Sequence, residues 1–274
     1  MKSNLVKIKF FFPNISRQIK NGQELVYLIM ETMRRDGNIK YAGYLKEKDL
    51  QKDLLHYVGS GDFHNYHLLS KRQKQTIEKA IYEAIKKCHD ILPHPNLPVF
   101  VFAYPWFPNA RDRILFRGNT ARTMYYTIHI FIDSDAYTKV SLQETISHEW
   151  NHLVFYRYHS EHEHTLGTDI IMEGLAEVFK EEIMGSKPSP WAFALTEEEV
   201  LKEFTSIEKK LNIQGMGMHR ELFFGSRKYK RWTGYSIGYR LVKEFRSKHP
   251  KLDWKEFIKI KPQDILEVFT KKET

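Results

Sequence analysis

The sequence predicts an α+β protein, with a small β-sheet packed on helices and a mainly helical C-terminal part. Three observations predict it. Stretches with strand character are few and precede residue 133, while stretches of helical period are many. The order is a strand and helices, then a helix and a small sheet, then helices alone. Regular strand–helix alternation, the mark of a parallel α/β sheet, is missing.

Each element has a local reason. The stretch NLVKIKFFF, residues 4–12, partly alternates and reads as a strand. NGQELVYLIMETMRR and KEKDLQKDLLHYV carry helical spacing. In SKRQKQTIEKAIYEAIKKCHDIL, Ser70 is placed to cap the helix, and Ile77, Ile81, Ala84, Ile85 and Cys88 form one apolar stripe. Pro93, Pro95 and Pro98 end it, and PVFVFAY then reads as a buried strand. ILFRGNTARTMYYTIHIFID reads as a hairpin turning near Gly118-Asn119, with a second strand from about Met124 to Ile132. Ser141 and Glu144 fit a capping box that opens a long helix through about Tyr158. A second helix is expected from near Thr168 to Gly185, ahead of Pro188. TEEEVLKEFTSIEKKLN has acids in its first turn and lysines in its last, as a helix dipole favours. TGYSIGYRLVKEFRSKHP is a further helix, and Asp253 and Pro262 open two short ones.

Composition narrows the class. With 42% apolar and 14% aromatic residues in 274, the chain can bury a sizeable core. Its one cysteine, Cys88, excludes an internal disulfide and gives no sign of an oxidising compartment. Lysines interrupt the apolar N-terminal run, and no stretch reaches the ~18 apolar residues of a membrane span. The expectation is a soluble, cytoplasmic protein. The net charge of +9 sits in the C-terminal part, where residues 201–274 hold 18 Lys/Arg against 9 Asp/Glu. Its densest piece, SRKYKRW, sets Arg227, Lys228, Lys230 and Arg231 around Tyr229 and Trp232. Such a piece is a solvated basic loop or a phosphate-binding patch with stacking aromatics.

The long helix carries the chemistry. His148, Glu149 and His152 form His-Glu-x-x-His. Residues four apart lie ~40° apart around an α-helix, so two imidazoles can grip one ion from one face. Glu149, beside the first histidine, can serve as general base. Zn²⁺ fits this set and requires a third protein ligand. The bland alternative is an amphipathic helix with exposed histidines, for which Ile146, Trp150, Leu153 and Val154 supply the apolar side.

Several residues compete for the third ligand. His159 shares the stripe of His148 but lies about 10 Å beyond His152 on a straight helix. The longer His-Glu-x-x-His-x-x-Gly-x-x-His pattern fails, because Phe155 and Tyr158 occupy its last two positions. His162 and His164, in HSEHEH, have the pattern of a wet turn. Glu173 is better placed, in a second helix that can fold back on the first. Gly174 beside it costs about 1 kcal/mol in a helix relative to Ala, which close approach of the two helices would explain. Glu177, one turn on, could accept the free N–H of a ligand histidine.

With these residues in view, the sequence resembles the glutamate-liganded zinc peptidases, the gluzincins, of which thermolysin is a member. There the downstream glutamate is the third ligand, and a carboxylate four residues later orients a histidine. Glu177 stands where thermolysin has an Asp. More closely, ETISHEWNHLVF, IIMEGLAEVF, ELFFGS and GYSIGYRLV resemble a family of predicted zinc-dependent proteases, across roughly residues 70–274. The resemblance implies a zincin-like fold for residues 70–274, the catalytic domain. Residues 1–69 form an N-terminal α+β portion, with the boundary near 59–69.

The expected mechanism follows. Zn²⁺ on His148, His152 and Glu173 lowers the pKa of a water, and Glu149 takes its proton during attack on a peptide carbonyl. Tyr235 and Tyr239 are candidate oxyanion donors, with ordinary helix packing as the competing role. The strand Tyr126–Ile132 is expected to be the edge that pairs with an extended peptide or protein substrate, as in gluzincins. The alternative function is a nucleic-acid-associated basic protein with a structural or vestigial metal site.

Overall fold

The computed structural model describes residues 8–12, 19–58, 69–94, 98–124, 126–159 and 164–270. It is a mixed α/β structure with one four-stranded sheet. By their contacts the residues group into two units. One holds Met1–His89 and His94–Glu149, the other Asp90–Pro93 and Trp150–Thr274. The expected boundary at 59–69 falls, but for its last residue, outside the described residues.

The first unit is built on the sheet. Its strands are β1 (Ile8–Phe11), β2 (Val99–Pro105), β3 (Asn119–Met124) and β4 (Thr127–Ile132). Their order is β1-β2-β4-β3, with β1 and β4 parallel to β2 and β3 antiparallel to β4. Among the described strands the edges are therefore β1 and β3. The expectation that Tyr126–Ile132 forms the edge is corrected: β2 pairs it from one side and β3 from the other, so its main chain is fully engaged. β2 and β4 are buried at every position, β2 with a nearly unbroken apolar sequence and β4 with Thr127 and His129 buried among its apolar residues.

Helix α1 (Gly22–Arg35) is capped by Asn21, and α2 (Glu47–Val58) follows. Their apolar faces, including Leu25, Ile29, Met33, Leu50 and Leu54, join Phe100, Phe102, Tyr104 and Phe131 in one core. α3 (Lys71–Ile91) starts as expected, with Ser70 and Gln73 capping each other reciprocally. Its apolar stripe is buried from Ile77 to Cys88.

The hairpin differs from expectation. ARDRIL forms a short helix, α4 (Ala110–Leu115), and Gly118 closes its end with φ +79°. A Cβ there would lie 2.3 Å from the Ala136 carbonyl carbon, so glycine serves this crossing and the left-handed backbone, not a hairpin. The last described β3–β4 pair is Met124 with Thr127, so the strands reverse well after Gly118-Asn119.

Helix α5 (Lys139–Tyr158) ends where expected but starts earlier. Thr138 and Ser141 cap each other, N–H to hydroxyl, at 3.0 Å in both directions. The Ser141–Glu144 box is thus displaced by three residues, and Glu144 pairs instead with Arg117. The division between the units falls inside α5, between Glu149 and Trp150.

The second unit is helical. α6 (Leu166–Met184) is capped by Thr165 and ends at Gly185, φ +63°. α7 (Glu197–Ile207) has a capping box of Thr196 and Glu199. α8 (Met216–Phe224), α9 (Thr233–Lys248), α10 (Trp254–Phe257) and α11 (Pro262–Thr270) complete it. α6 and α9 cross where Gly174 meets Gly238. A Cβ on Gly174 would lie 2.2 Å from the Gly238 carbonyl oxygen, and one on Gly238 would lie 2.1 Å from that of Ile170. Gly174 therefore does mark a close helix approach, but to α9 and not to the histidine helix. Among the described residues, no helix is long and apolar enough to cross a membrane.

Candidate metal centre

Helix α5 is not a solvated amphipathic helix. It buries polar side chains along its length: Ser147, Glu149, Asn151 and His152 are all at or below 6% exposure. Burying a carboxylate and imidazoles is costly unless they are paired or bind an ion. The ligand atoms of His148, Glu149 and His152 lie within 4.8 Å of one another, the single such group among the described residues. The grouping follows from helix periodicity alone, since all three residues belong to one continuous helix.

Glu173, on α6, stands against His152. Its Oε2 stands 3.5 Å from His152 Nε2, and both side chains are largely buried. Two ligands of a tetrahedral Zn²⁺, each about 2.0–2.1 Å from the ion, stand about 3.4 Å apart. The His152–Glu173 pair therefore has the spacing of two zinc ligands, and imidazole with carboxylate is a donor chemistry that suits zinc. Glu149 is held from β3, where Thr123 Oγ1 lies 2.8 Å from its Oε2.

Glu177 is buried one turn beyond Glu173. Its Oε1 accepts from Lys180 Nζ and from the Ser189 N–H, both at 2.5 Å. The sequence reading missed this buried ion pair, whose lysine stands only three residues along α6. Tyr235 is half-buried and packs edge-on against Phe223, ring centroids 4.9 Å apart, with Trp191 at 6.3 Å. The Tyr239 hydroxyl donates to Glu181 Oε2 at 2.8 Å, and burial with that carboxylate pushes its pKa up.

The remaining histidines divide. His159 Nε2 lies 2.6 Å from the Ile258 carbonyl, which can only accept, so this nitrogen carries a proton and the ring is a strut. His162 lies outside the described residues. His164 Nδ1 is 3.4 Å from Asp169 Oδ1, while His219 Nδ1 is 2.8 Å from Asp169 Oδ2. Burial alone would raise the Asp169 carboxyl, but the two imidazoles hold it below its ordinary value. The hydrogen bond to Asp169 in turn raises His164, against the effect of burial. Sequence reading did not find this bracket, although Asp169 sits four residues before Glu173 and so shares its face of α6.

In the basic stretch, Lys230 pairs with Glu199, and the Arg231 guanidinium lies 4.7 Å from the Trp232 ring centre. Tyr229 is buried, which removes it from base stacking.

A family profile described as predicted Zn-dependent protease (DUF2268) matches residues 77–267. The chain belongs to this family. The match to the predicted zinc-dependent proteases takes in α5 and α6 whole, with His148, Glu149, His152 and Glu173. The uncharacterized protein YjfC of Bacillus subtilis (strain 168) is 27% identical over 135 residues. That stretch is 44% of this chain and 45% of YjfC, so the match spans less than half of either protein. No solved structure shows significant similarity.

Proposed function

We propose that the chain is a zinc metallopeptidase in which His148, His152 and Glu173 hold the ion and Glu149 is the general base. The observation that carries this reading is the 3.5 Å separation of His152 Nε2 and Glu173 Oε2, which joins a carboxylate to the two-histidine helix at a ligand–ligand distance. Zn²⁺ held there supplies a Lewis acid that polarises a peptide carbonyl and acidifies water. Glu149 takes the proton of the attacking water and returns it to the leaving amine. Glu177 supports the ligand set from one turn along α6. The Tyr235 hydroxyl donates to the oxygen that gains charge. An extended peptide pairs main chain to main chain with β3, the edge strand that reaches Glu149, so sequence selectivity is weak. The gluzincin ligand order and a zincin-like catalytic domain over residues 70–274, preceded by the N-terminal portion 1–69, belong to the same reading, as does a cytoplasmic location.

The test is Glu149→Gln in zinc-loaded protein. Zinc stoichiometry stays at one per chain, while hydrolysis of a cleavable peptide falls by ~10²-fold or more. Full activity in this variant removes Glu149 from its role, and wild-type protein that binds no zinc removes the site.

A further inference from the structure

Glu149 is buried, and a general base with two oxygens must present one of them to water while the other is held. Thr123, itself only 6% exposed, reaches Glu149 from β3. Its Oγ1 lies 2.8 Å from Glu149 Oε2 and 3.0 Å from the Glu149 main-chain oxygen. Both are acceptors when Glu149 is ionised, and the hydroxyl has one hydrogen. The charged oxygen takes it, because a hydrogen bond to a carboxylate is about twice as strong as one between neutral groups.

The contact follows from register. Asn119 Nδ2 donates to Ser141 Oγ at 2.8 Å, which pins the first residue of β3 to the first turn of α5. From Asn119 to Thr123 a strand advances ~13 Å, and from Ser141 to Glu149 a helix advances ~12 Å. Strand and helix run side by side in one direction, tied at both ends, with the second tie on the base. Period-2 alternation places Arg122 on the opposite face, where it pairs with Asp53 at 2.7 Å. Thr123 is β-branched, so its hydroxyl has few rotamers in which to lose the contact.

We infer that Thr123 is the positioning residue of Glu149. Its hydroxyl holds Oε2, which leaves Oε1 to face the water, and it fastens the base to the strand on which peptide would lie. A shift of β3 thereby moves the base. The chemical consequence rests on the peptidase reading, whereas the positioning itself does not.

Two variants separate hydroxyl from packing: Thr123→Val, which keeps the shape, and Thr123→Ser, which keeps the hydroxyl. In zinc-loaded protein, Thr123→Val should lower kcat by about tenfold or more, with KM within about twofold and zinc content unchanged. Thr123→Ser should restore most of kcat. Wild-type kcat in the valine variant, or a serine variant as slow as the valine one, overturns the inference. High-resolution crystal structures of the zinc-free proteins decide it without any assay. A single Glu149 conformer in wild type and Thr123→Ser, lost in Thr123→Val, supports the role, and an unmoved Glu149 in Thr123→Val overturns it. If wild-type protein cleaves no peptide, the peptidase reading fails, and these structures still decide the role of Thr123.

Discussion

His152 and His159 stand seven residues apart, and their rings meet different partners. His152 faces a carboxylate on α6, while His159 donates to the Ile258 carbonyl and packs on Phe155, centroids 4.3 Å apart. The first sets two potential ligand atoms at a separation that an ion can bridge, and the second ties a ring N–H to a main-chain carbonyl. Substituting Glu173→Ala is therefore expected to abolish stoichiometric zinc in metal analysis with the fold retained. His159→Phe should keep zinc and lose about 1–3 kcal/mol in denaturant unfolding, since the Ile258 carbonyl is left without its donor. Zinc loss in the second variant, or retention in the first, would reverse the assignment. The clustering of His148, Glu149 and His152 was legible because helix spacing is local. The role of His159 was not, because its partner lies 99 residues further along the chain. Thr123 escaped the sequence for the same reason: nothing about a threonine in a strand tells which side chain it will meet from a helix 26 residues on.

At the scale of elements, two helical glycines make opposite predictions. Gly174 was legible as a close-approach residue. That Gly174 pairs with Gly238 was not, since the sequence does not state which helices cross. Gly174→Ala gains about 1 kcal/mol of helix propensity, yet its Cβ would lie 2.2 Å from backbone oxygen on α9. Backbone cannot rotate aside, so α6 and α9 must separate, at a net cost of about 3 kcal/mol. Gly217, within α8, has nothing within 4 Å of an added Cβ. Gly217→Ala should be neutral or stabilising by up to about 1 kcal/mol. Thermal unfolding of both variants checks the pair; equal stabilities would mean that the crossing yields.

At the scale of the whole molecule, the order of elements and the α+β character could be read because periodicity is local, whereas strand neighbours could not. β1 and β2 pair across some 90 residues, and no short-range signal records that β4, rather than β3, is interior. The same non-local packing creates an acid-sensitive point that TIHIFI does not announce. His129, on β4, is buried between layers of the sheet core, its ring stacked on Phe102 and Tyr104 at 5.3 and 5.7 Å. Its Nε2 lies 2.8 Å from the Ala42 carbonyl and so carries hydrogen, which leaves Nδ1 to accept from the Tyr104 hydroxyl at 3.0 Å. The neutral ring is thus fully bonded. Burial, only partly opposed by the Ala42 carbonyl, lowers its pKa to about 4. In the unfolded chain a histidine titrates near 6.5, so the unfolded state binds a proton that the folded state refuses. The stability from keeping His129 neutral is therefore complete above about pH 6.5 and is lost as pH falls towards 4, amounting to ~3 kcal/mol across that window. Hydrogen exchange of the β2 and β4 amides reads the opening of this unit by itself, without assuming that the whole chain unfolds in one step. Protection should fall between pH 7 and pH 4.5 in the wild type beyond the intrinsic pH dependence of exchange. His129→Gln, which carries no titrating ring, should start lower and lose less over the same range. Parallel losses in the two proteins would assign the acid sensitivity of the sheet to other groups.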